Sequence, residues 1–126
     1  MSYSWLRLTL DISHWFCVAE TLLEDQEDTV TALIPHIQHL HARIGHTQGP
    51  QLADPGDGLW EYTIERHFAI WELILRYHAA TGKREFGITT EYGPWPYMHQ
   101  KNDFSVQFAL NVSMLEQLKR RFSSYL

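Results

Sequence analysis

The sequence of 126 residues predicts an α/β protein in which three parallel strands alternate with helices. Alternating apolar residues at Leu6, Leu8 and Leu10 indicate a strand over Leu6–Asp11, and apolar residues three or four positions apart indicate helices farther along. Segments with these two spacings follow one another as strand, helix, strand, helix, strand, helix. Because such alternation is typical of right-handed crossovers between neighbouring strands, it predicts a parallel sheet within one domain, residues 1–126.

The first half of the chain contains one predicted helix, a second strand and a long loop. The helix follows the acidic stretch Glu24–Asp28, since acidic residues suit the positive end of a helix dipole, and it ends near Pro35. The second strand is predicted over Ile37–Arg43. Residues 45–58 are rich in glycine, proline and aspartate, and this composition indicates a loop.

The second half of the chain contains two longer helices with a strand between them. The first spans about Trp60 to Ala80, is the longest or nearly so, and ends before Gly82 as its C-cap. The third strand is predicted over Phe86–Glu91. The last helix begins at Asp103 or Ser105. Its apolar stripe consists of Val106, Leu110, Met114, Leu118 and Phe122.

Composition limits the classes of function. The net charge of −5 disfavours a surface that neutralises nucleic-acid phosphates. The single cysteine, Cys17, excludes an internal disulfide and suits a reducing compartment. No apolar run approaches the roughly 20 residues that span a bilayer, and the first residues lack a signal-peptide pattern. We therefore expect a cytoplasmic protein that binds neither nucleic acid nor membrane.

Three residues that can bind metals stand at the ends of the predicted strands: Asp11, His41 and Glu91. Parallel α/β folds carry their sites at the carboxyl ends of strands, and carboxylate and imidazole ligands suit a divalent ion. If these three side chains point into a barrel, strand alternation gives the rest of the inward column. It comprises Arg7, Thr9, Ile37, His39, Gly87 and Thr89, opposite an outward set of the leucines, Ala42, Phe86 and Ile88.

Three motifs resemble the xylose-isomerase-like superfamily, and in particular a bacterial branch described as sugar phosphate isomerase/epimerase. They are residues 11–15, Asp-Ile-Ser-His-Trp; residues 39–43, His-Leu-His-Ala-Arg; and residues 90–97, Thr-Glu-Tyr-Gly-Pro-Trp-Pro-Tyr. The last motif departs from the pattern of that branch at Thr90, where the branch has proline, and at Tyr92, where it has phenylalanine. The resemblance extends from Leu6 to Tyr125. It implies the last three βα units of a (β/α)₈ TIM barrel.

The resemblance also implies an activity and a set of roles. The family isomerises or epimerises small sugars or sugar phosphates with a divalent ion, usually manganese, magnesium, cobalt or zinc. Asp11, His41 and Glu91 would be metal ligands, Glu91 would also carry the proton, and His14 and Arg43 would contact substrate. The family's fourth ligand is a second glutamate on the preceding strand, which has no counterpart here. The isolated chain is therefore expected to be incomplete, and to self-associate or require a missing N-terminal half.

Other interpretations of the same residues remain open. A lyase such as a sugar dehydratase would use the same ion and a similar enolate. An apurinic-site endonuclease has the same barrel but needs further metal ligands, for which no Asp-x-His pattern follows His41. A truncated half-barrel would be a folding unit without catalysis. Asp11 alone is also typical of a helix cap, and Arg43 of a structural partner for Asp11 or Glu91.

Overall fold

A computed structural model describes residues 3–99 and 104–125, which form an α/β fold. The three predicted strands are all present, although each is shorter than predicted. The strands are β1 (Leu8–Leu10), β2 (Ile37–Ala42) and β3 (Gly87–Thr90), and the helices are α1 (Ile12–Ala19), α2 (Glu27–Leu33), α3 (Glu61–Ala80) and α4 (Phe104–Arg121). Short 3-10 helices span Ile34–His36, Gly58–Trp60 and Ser123–Tyr125.

The sheet has the order β1-β2-β3, and both pairs of neighbours are parallel. The predicted parallel sheet with flanking helices is therefore confirmed. In the register, Thr9 pairs with His39, and Leu40 pairs with Ile88. The strand β1 lies at one edge of the sheet and β3 at the other, so both outer strands have an edge unpaired by the described residues.

The hydrophobic core lies on one side of the sheet. Leu40 and Ala42 of β2 are fully buried there, as are Ile70 and Trp71 of α3. The predicted stripe of the last helix packs on the same core through Met114, Leu118 and Phe122. Burial of apolar side chains against one face of the sheet is thus the main source of stability.

Ile37 lies on this helix-facing side, so the prediction that it shares a face with His41 is wrong. Leu8 pairs with Ile37, but Thr9 pairs with His39, so β2 has one extra residue, Gln38, between these pairs. Such a bulge reverses the alternation of side chains. Ile37 consequently joins the core with 1% of its surface exposed.

One helix was not predicted, and one of the two alternative caps of the last helix is excluded. The helix α1 was not predicted, because it is short and buries only Ile12, Ser13 and Phe16. The helix α4 begins at Phe104, so Ser105 lies inside it and is not its cap. The alternative cap, Asp103, lies outside the described residues. Across residues 3–99 and 104–125, no helix is both long and apolar enough to cross a membrane.

Candidate functional site

The face of the sheet opposite the helices is polar. Thr9 and Thr89 are exposed there, and His39 and His41 are partly buried. His39 Nε2 lies 2.8 Å from Thr89 Oγ1, across the β2–β3 pair. Gly87 provides the space for this ring, since a Cβ atom at Gly87 would lie 2.5 Å from His39 Nδ1. The two exposed threonines leave this face open to solvent within the described residues.

Asp11 follows β1 and caps helix α1. Its Oδ1 accepts a hydrogen bond from the Ser13 backbone N–H, at 3.2 Å, and another from the Ser13 hydroxyl. Its Oδ2 lies 3.0 Å from Arg43 Nη2. Asp11 therefore has the capping role and the arginine partner that the sequence left open, and it connects the start of α1 to the end of β2.

Arg43 is the most deeply buried charge at the strand ends, with 4% of its surface exposed. Its Nη2 donates to Asp11 and to His14 Nε2, at 2.7 Å from the latter. Its guanidinium lies over the ring of Tyr97, 5.1 Å from the centroid. Among the described residues, Arg43 Nε has no acceptor, and a buried donor left unmet costs about 1–3 kcal/mol.

His41 and Glu91 form a second pair, at the ends of β2 and β3. His41 Nδ1 lies 3.7 Å from Glu91 Oε1, and the two side chains are 35% and 38% exposed. The backbone N–H of Glu91 donates to Ala42 carbonyl oxygen and so continues the β2–β3 ladder by one residue. This carboxylate is therefore fixed at its base and open to solvent at its tip, where a ligand can reach it.

The loop after β2 is held by a buried histidine, His67 of α3. Its Nδ1 donates to Thr63 carbonyl oxygen at 2.7 Å, and its Nε2 accepts from the Gly45 backbone N–H at 3.1 Å. Burial lowers the pKa of His67 to about 4, so the ring is neutral at neutral pH. A Cβ atom at Gly45 would lie 2.7 Å from both Pro50 carbonyl oxygen and Ser13 Cβ, so loop and α1 touch here.

The segment after Glu91 is held by side-chain amides. Asn111 of α4 accepts from the Tyr92 N–H and donates to its carbonyl oxygen, both at 3.0 Å. Gln51 Oε1 accepts from the Gly93 N–H at 2.7 Å. Burial raises the pKa of Tyr92 to about 12, so its hydroxyl stays neutral and accepts from the Ile44 N–H at 3.4 Å. These contacts fix the two residues that follow the carboxylate of Glu91.

Two residues of this region were missed in the sequence. His67 lies between Ile64 and Trp71 on the apolar stripe of α3, and a histidine in that position could have indicated a buried polar contact. Tyr97 belongs to the third motif, but its contact with Arg43 joins residues 54 positions apart in the chain. No spacing in the sequence indicates such a contact.

The three predicted metal ligands do not form a ready-made site. Within residues 3–99 and 104–125, no group of three His, Cys, Asp or Glu side chains is arranged to hold a metal ion. His41 and Glu91 are adjacent, but the carboxylate of Asp11 already accepts hydrogen bonds from the start of α1 and from Arg43. The structure thus separates Asp11, which is partly buried and paired with the buried Arg43, from an open His41–Glu91 pair.

No protein-family model, curated protein or solved structure matches this chain. The class of protein that the fold defines is an α/β protein with a parallel sheet and a polar cluster at the carboxyl ends of its strands. In folds of this class the carboxyl ends of the strands are where ligands bind.

Proposed function

We propose that the chain is the carboxyl-terminal part of a (β/α)₈ barrel that isomerises or epimerises a small sugar or sugar phosphate, with Glu91 as the group that carries the proton. The observation that supports this proposal most is the position of Glu91. Its carboxylate is open to solvent beside His41, and the fixed positive charge of Arg43 lies at the end of the neighbouring strand. Proton transfer next to a carbonyl needs a base, and a positive charge stabilises the oxyanion that then develops.

In the proposed reaction, Glu91 takes a proton from the carbon next to the substrate carbonyl. The electrons of the broken C–H bond form a C=C bond, and the carbonyl oxygen becomes negatively charged in an enediolate. Arg43 remains protonated throughout, and its guanidinium would donate to that oxygen once it has moved off Asp11. Glu91 alone can only return a proton to the same face of that carbon, which exchanges the substrate proton with solvent; a second acid on the opposite face, from the strand that would precede β1 in the barrel, would complete the turnover. His14, whose side chain is 54% exposed, would contact a hydroxyl group of the sugar.

A divalent ion such as manganese, magnesium, cobalt or zinc is part of the proposal. His41 Nδ1 and Glu91 Oε1 offer two ligand atoms that are 3.7 Å apart. Asp11 would be the third, but its partner Arg43 must first be moved away. We derive no step through the ion.

The open polar face supports a partner chain as the second part of the proposal. Parallel sheets are normally covered on both faces, and unpaired edges favour association. The described chain covers one face only, so we expect a dimer, larger aggregates or a complex with a chain that supplies the remaining strands. A non-catalytic folding unit would show the same association. A monodisperse 14.8 kDa monomer in sedimentation would contradict this part.

Solvent exchange of the substrate proton tests the role of Glu91, because exchange needs one base whereas full turnover needs two. The chain is incubated with manganese and a panel of ketoses and ketose phosphates in D₂O, and deuterium uptake is followed by NMR. We expect slow uptake next to one carbonyl. Glu91→Gln should slow it about 10²–10⁴-fold, because the amide cannot carry the proton.

Glu85→Gln is the matched control, since Glu85 is an exposed carboxylate just before β3, at the opposite end of that strand. It should leave the uptake unchanged. Exchange that persists in Glu91→Gln, or no exchange with any sugar, would count against the proposed function. Efficient turnover by the chain alone would instead contradict the half-barrel part of the proposal.

A further inference from the structure

The carboxylate of Asp11 has little capacity left for another partner. A carboxylate offers about four lone-pair positions, two on each oxygen. Oδ1 accepts two hydrogen bonds from Ser13, one from its N–H at 3.2 Å and one from its hydroxyl. Oδ2 accepts from Arg43 Nη2 at 3.0 Å. About three of the four positions are thus filled by donors from the chain itself.

Arg43 is held to this carboxylate more firmly than an exposed arginine would be. Its side chain is 5% exposed and that of Asp11 is 15% exposed, so solvent screens their attraction weakly. The same Nη2 also donates to His14 Nε2 at 2.7 Å. However, Arg43 Nε has no acceptor among the described residues. The guanidinium therefore neutralises Asp11 while part of its own hydrogen-bonding capacity is unused.

We propose that Arg43 is the resident counter-cation of Asp11, and that a divalent ion gains Asp11 as a ligand only by displacing Arg43 from it. Two cations on one partly buried carboxylate repel each other more strongly than they would in water. Displacement would release His14 Nε2, which now accepts from Arg43, and would free the guanidinium for an anionic oxygen of a substrate. This inference rests on the proposed function only for the presence of an ion at the strand ends.

Manganese affinity without any sugar tests this inference. Binding is measured by the loss of the free Mn²⁺ signal in electron paramagnetic resonance, for the wild-type chain and for Arg43→Gln. We expect Arg43→Gln to bind Mn²⁺ at least about tenfold more tightly, because the ion no longer competes with a charged hydrogen bond. Arg43→Lys keeps a positive charge and should stay close to the wild-type affinity.

Two controls make the result specific. Arg84→Gln changes the net charge equally, but Arg84 is exposed before β3, away from the strand ends, so its affinity should equal that of the wild type. Adding Asp11→Asn to Arg43→Gln should remove the gain. An Arg43→Gln affinity equal to or below that of Arg84→Gln would overturn the proposal, since an arginine that merely orients a ligand loses metal when replaced. No binding by Arg43→Gln would overturn it as well.

The wild-type chain provides a second test that does not depend on the folding of a variant. Side-chain NMR of ¹⁵N-arginine follows the guanidinium of Arg43 during a Mg²⁺ titration. We expect its signals to move together with those of His41. A response of His41 without Arg43, or no response at all, would contradict displacement. Because no sugar is present, failure of the deuterium exchange with an intact affinity change would count against the proposed function alone.

Discussion

The two faces of the sheet differ in what covers them. On the helix-facing side, Leu40 is fully buried and Ile88 packs against the core. On the other side, Thr9 and Thr89 are exposed, and the hydrogen bond between His39 and Thr89 links β2 to β3. One face of the sheet therefore stabilises the fold, and the other face presents polar side chains to a ligand. Replacements on one face should change the free energy of unfolding, and replacements on the other should change binding.

The two ion pairs at the strand ends show the same contrast. Asp11 and Arg43 lie on the side of α1 and the loop after β2, with side chains 15% and 5% exposed. His41 and Glu91 lie on the open side, with 35% and 38% exposed. A buried pair cannot lose one partner without leaving an uncompensated charge, whereas an exposed pair contributes little.

The largest expected effect comes from a pair of neighbouring residues on β2. Leu40→Ala should lower the free energy of unfolding by about 2–5 kcal/mol, because it removes a fully buried side chain and leaves a cavity. His39→Ala, one residue earlier and on the open face, should cost less than about 1 kcal/mol. Urea unfolding of both variants measures the difference. Equal losses would mean that the open face is covered in solution.

Hydrophobic spacing predicted the elements that bury a regular stripe. The helix α3 was predicted almost to the residue, because Ile64, Phe68, Trp71 and Leu75 recur at helical intervals. The helix α1 was missed because its eight residues bury only two apolar side chains, Ile12 and Phe16. A stripe of two residues does not distinguish a helix from a loop. The bulge before His39 was not predicted, because it depends on how β2 pairs with β1 and the sequence of β2 alone does not show this pairing.

The sequence placed the polar residues at the strand ends but could not pair them. Parallel strands bring their carboxyl ends together, so the position of His41 beside Glu91 follows from the alignment of β2 and β3. Whether Arg43 binds Asp11 or Glu91 depends on the angle at which α1 leaves β1, which no spacing contains. That choice determines whether Asp11 is free for an ion.

The second expected effect is a dependence of stability on pH that originates on the buried side. Burial lowers the pKa of His67 from 6.5 to about 4, and burial also lowers the pKa of His78. Between pH 6.5 and pH 4, the unfolded chain therefore binds more protons than the folded chain. The contribution of neutral His67 to the free energy of unfolding should be fully present above about pH 6.5. It should decrease by about 3 kcal/mol as the pH falls towards 4.

Urea unfolding between pH 7 and pH 4 measures this slope. His67→Gln should flatten it at the expense of stability at neutral pH, because the amide oxygen can still accept from Gly45 without gaining a proton. His39→Gln, on the open face, is the matched control and should keep the slope. A slope that survives His67→Gln would assign the effect to other groups.

The third expected effect compares the two carboxylates through the same isosteric change. Asp11→Asn keeps a side chain that caps helices but removes the charge that Arg43 faces, so it should cost about 2 kcal/mol. Glu91→Gln should cost less than about 0.5 kcal/mol, because its partner is half-exposed. Thermal unfolding at low and high salt measures both. A larger loss for Glu91→Gln would reverse the assignment of the buried pair.

The smallest expected effect is at Gly87, on the open face. An alanine there reduces the freedom of the unfolded chain and should by itself stabilise the fold by about 0.4–1 kcal/mol. Its Cβ would lie 2.5 Å from His39 Nδ1, however, so the ring must rotate away and lose Thr89. We expect these two effects on the free energy of unfolding to offset each other in urea unfolding, while NMR shows the His39 ring signals displaced.

Gly58→Ala is the control, because a Cβ atom at Gly58 meets nothing within 4 Å. This variant should therefore show the stabilisation without the loss. A loss at Gly87 much larger than the gain at Gly58 would mean that the His39 ring cannot move. The polar face would then be packed as rigidly as the helix-facing one, and this result would contradict the difference in packing between the two faces.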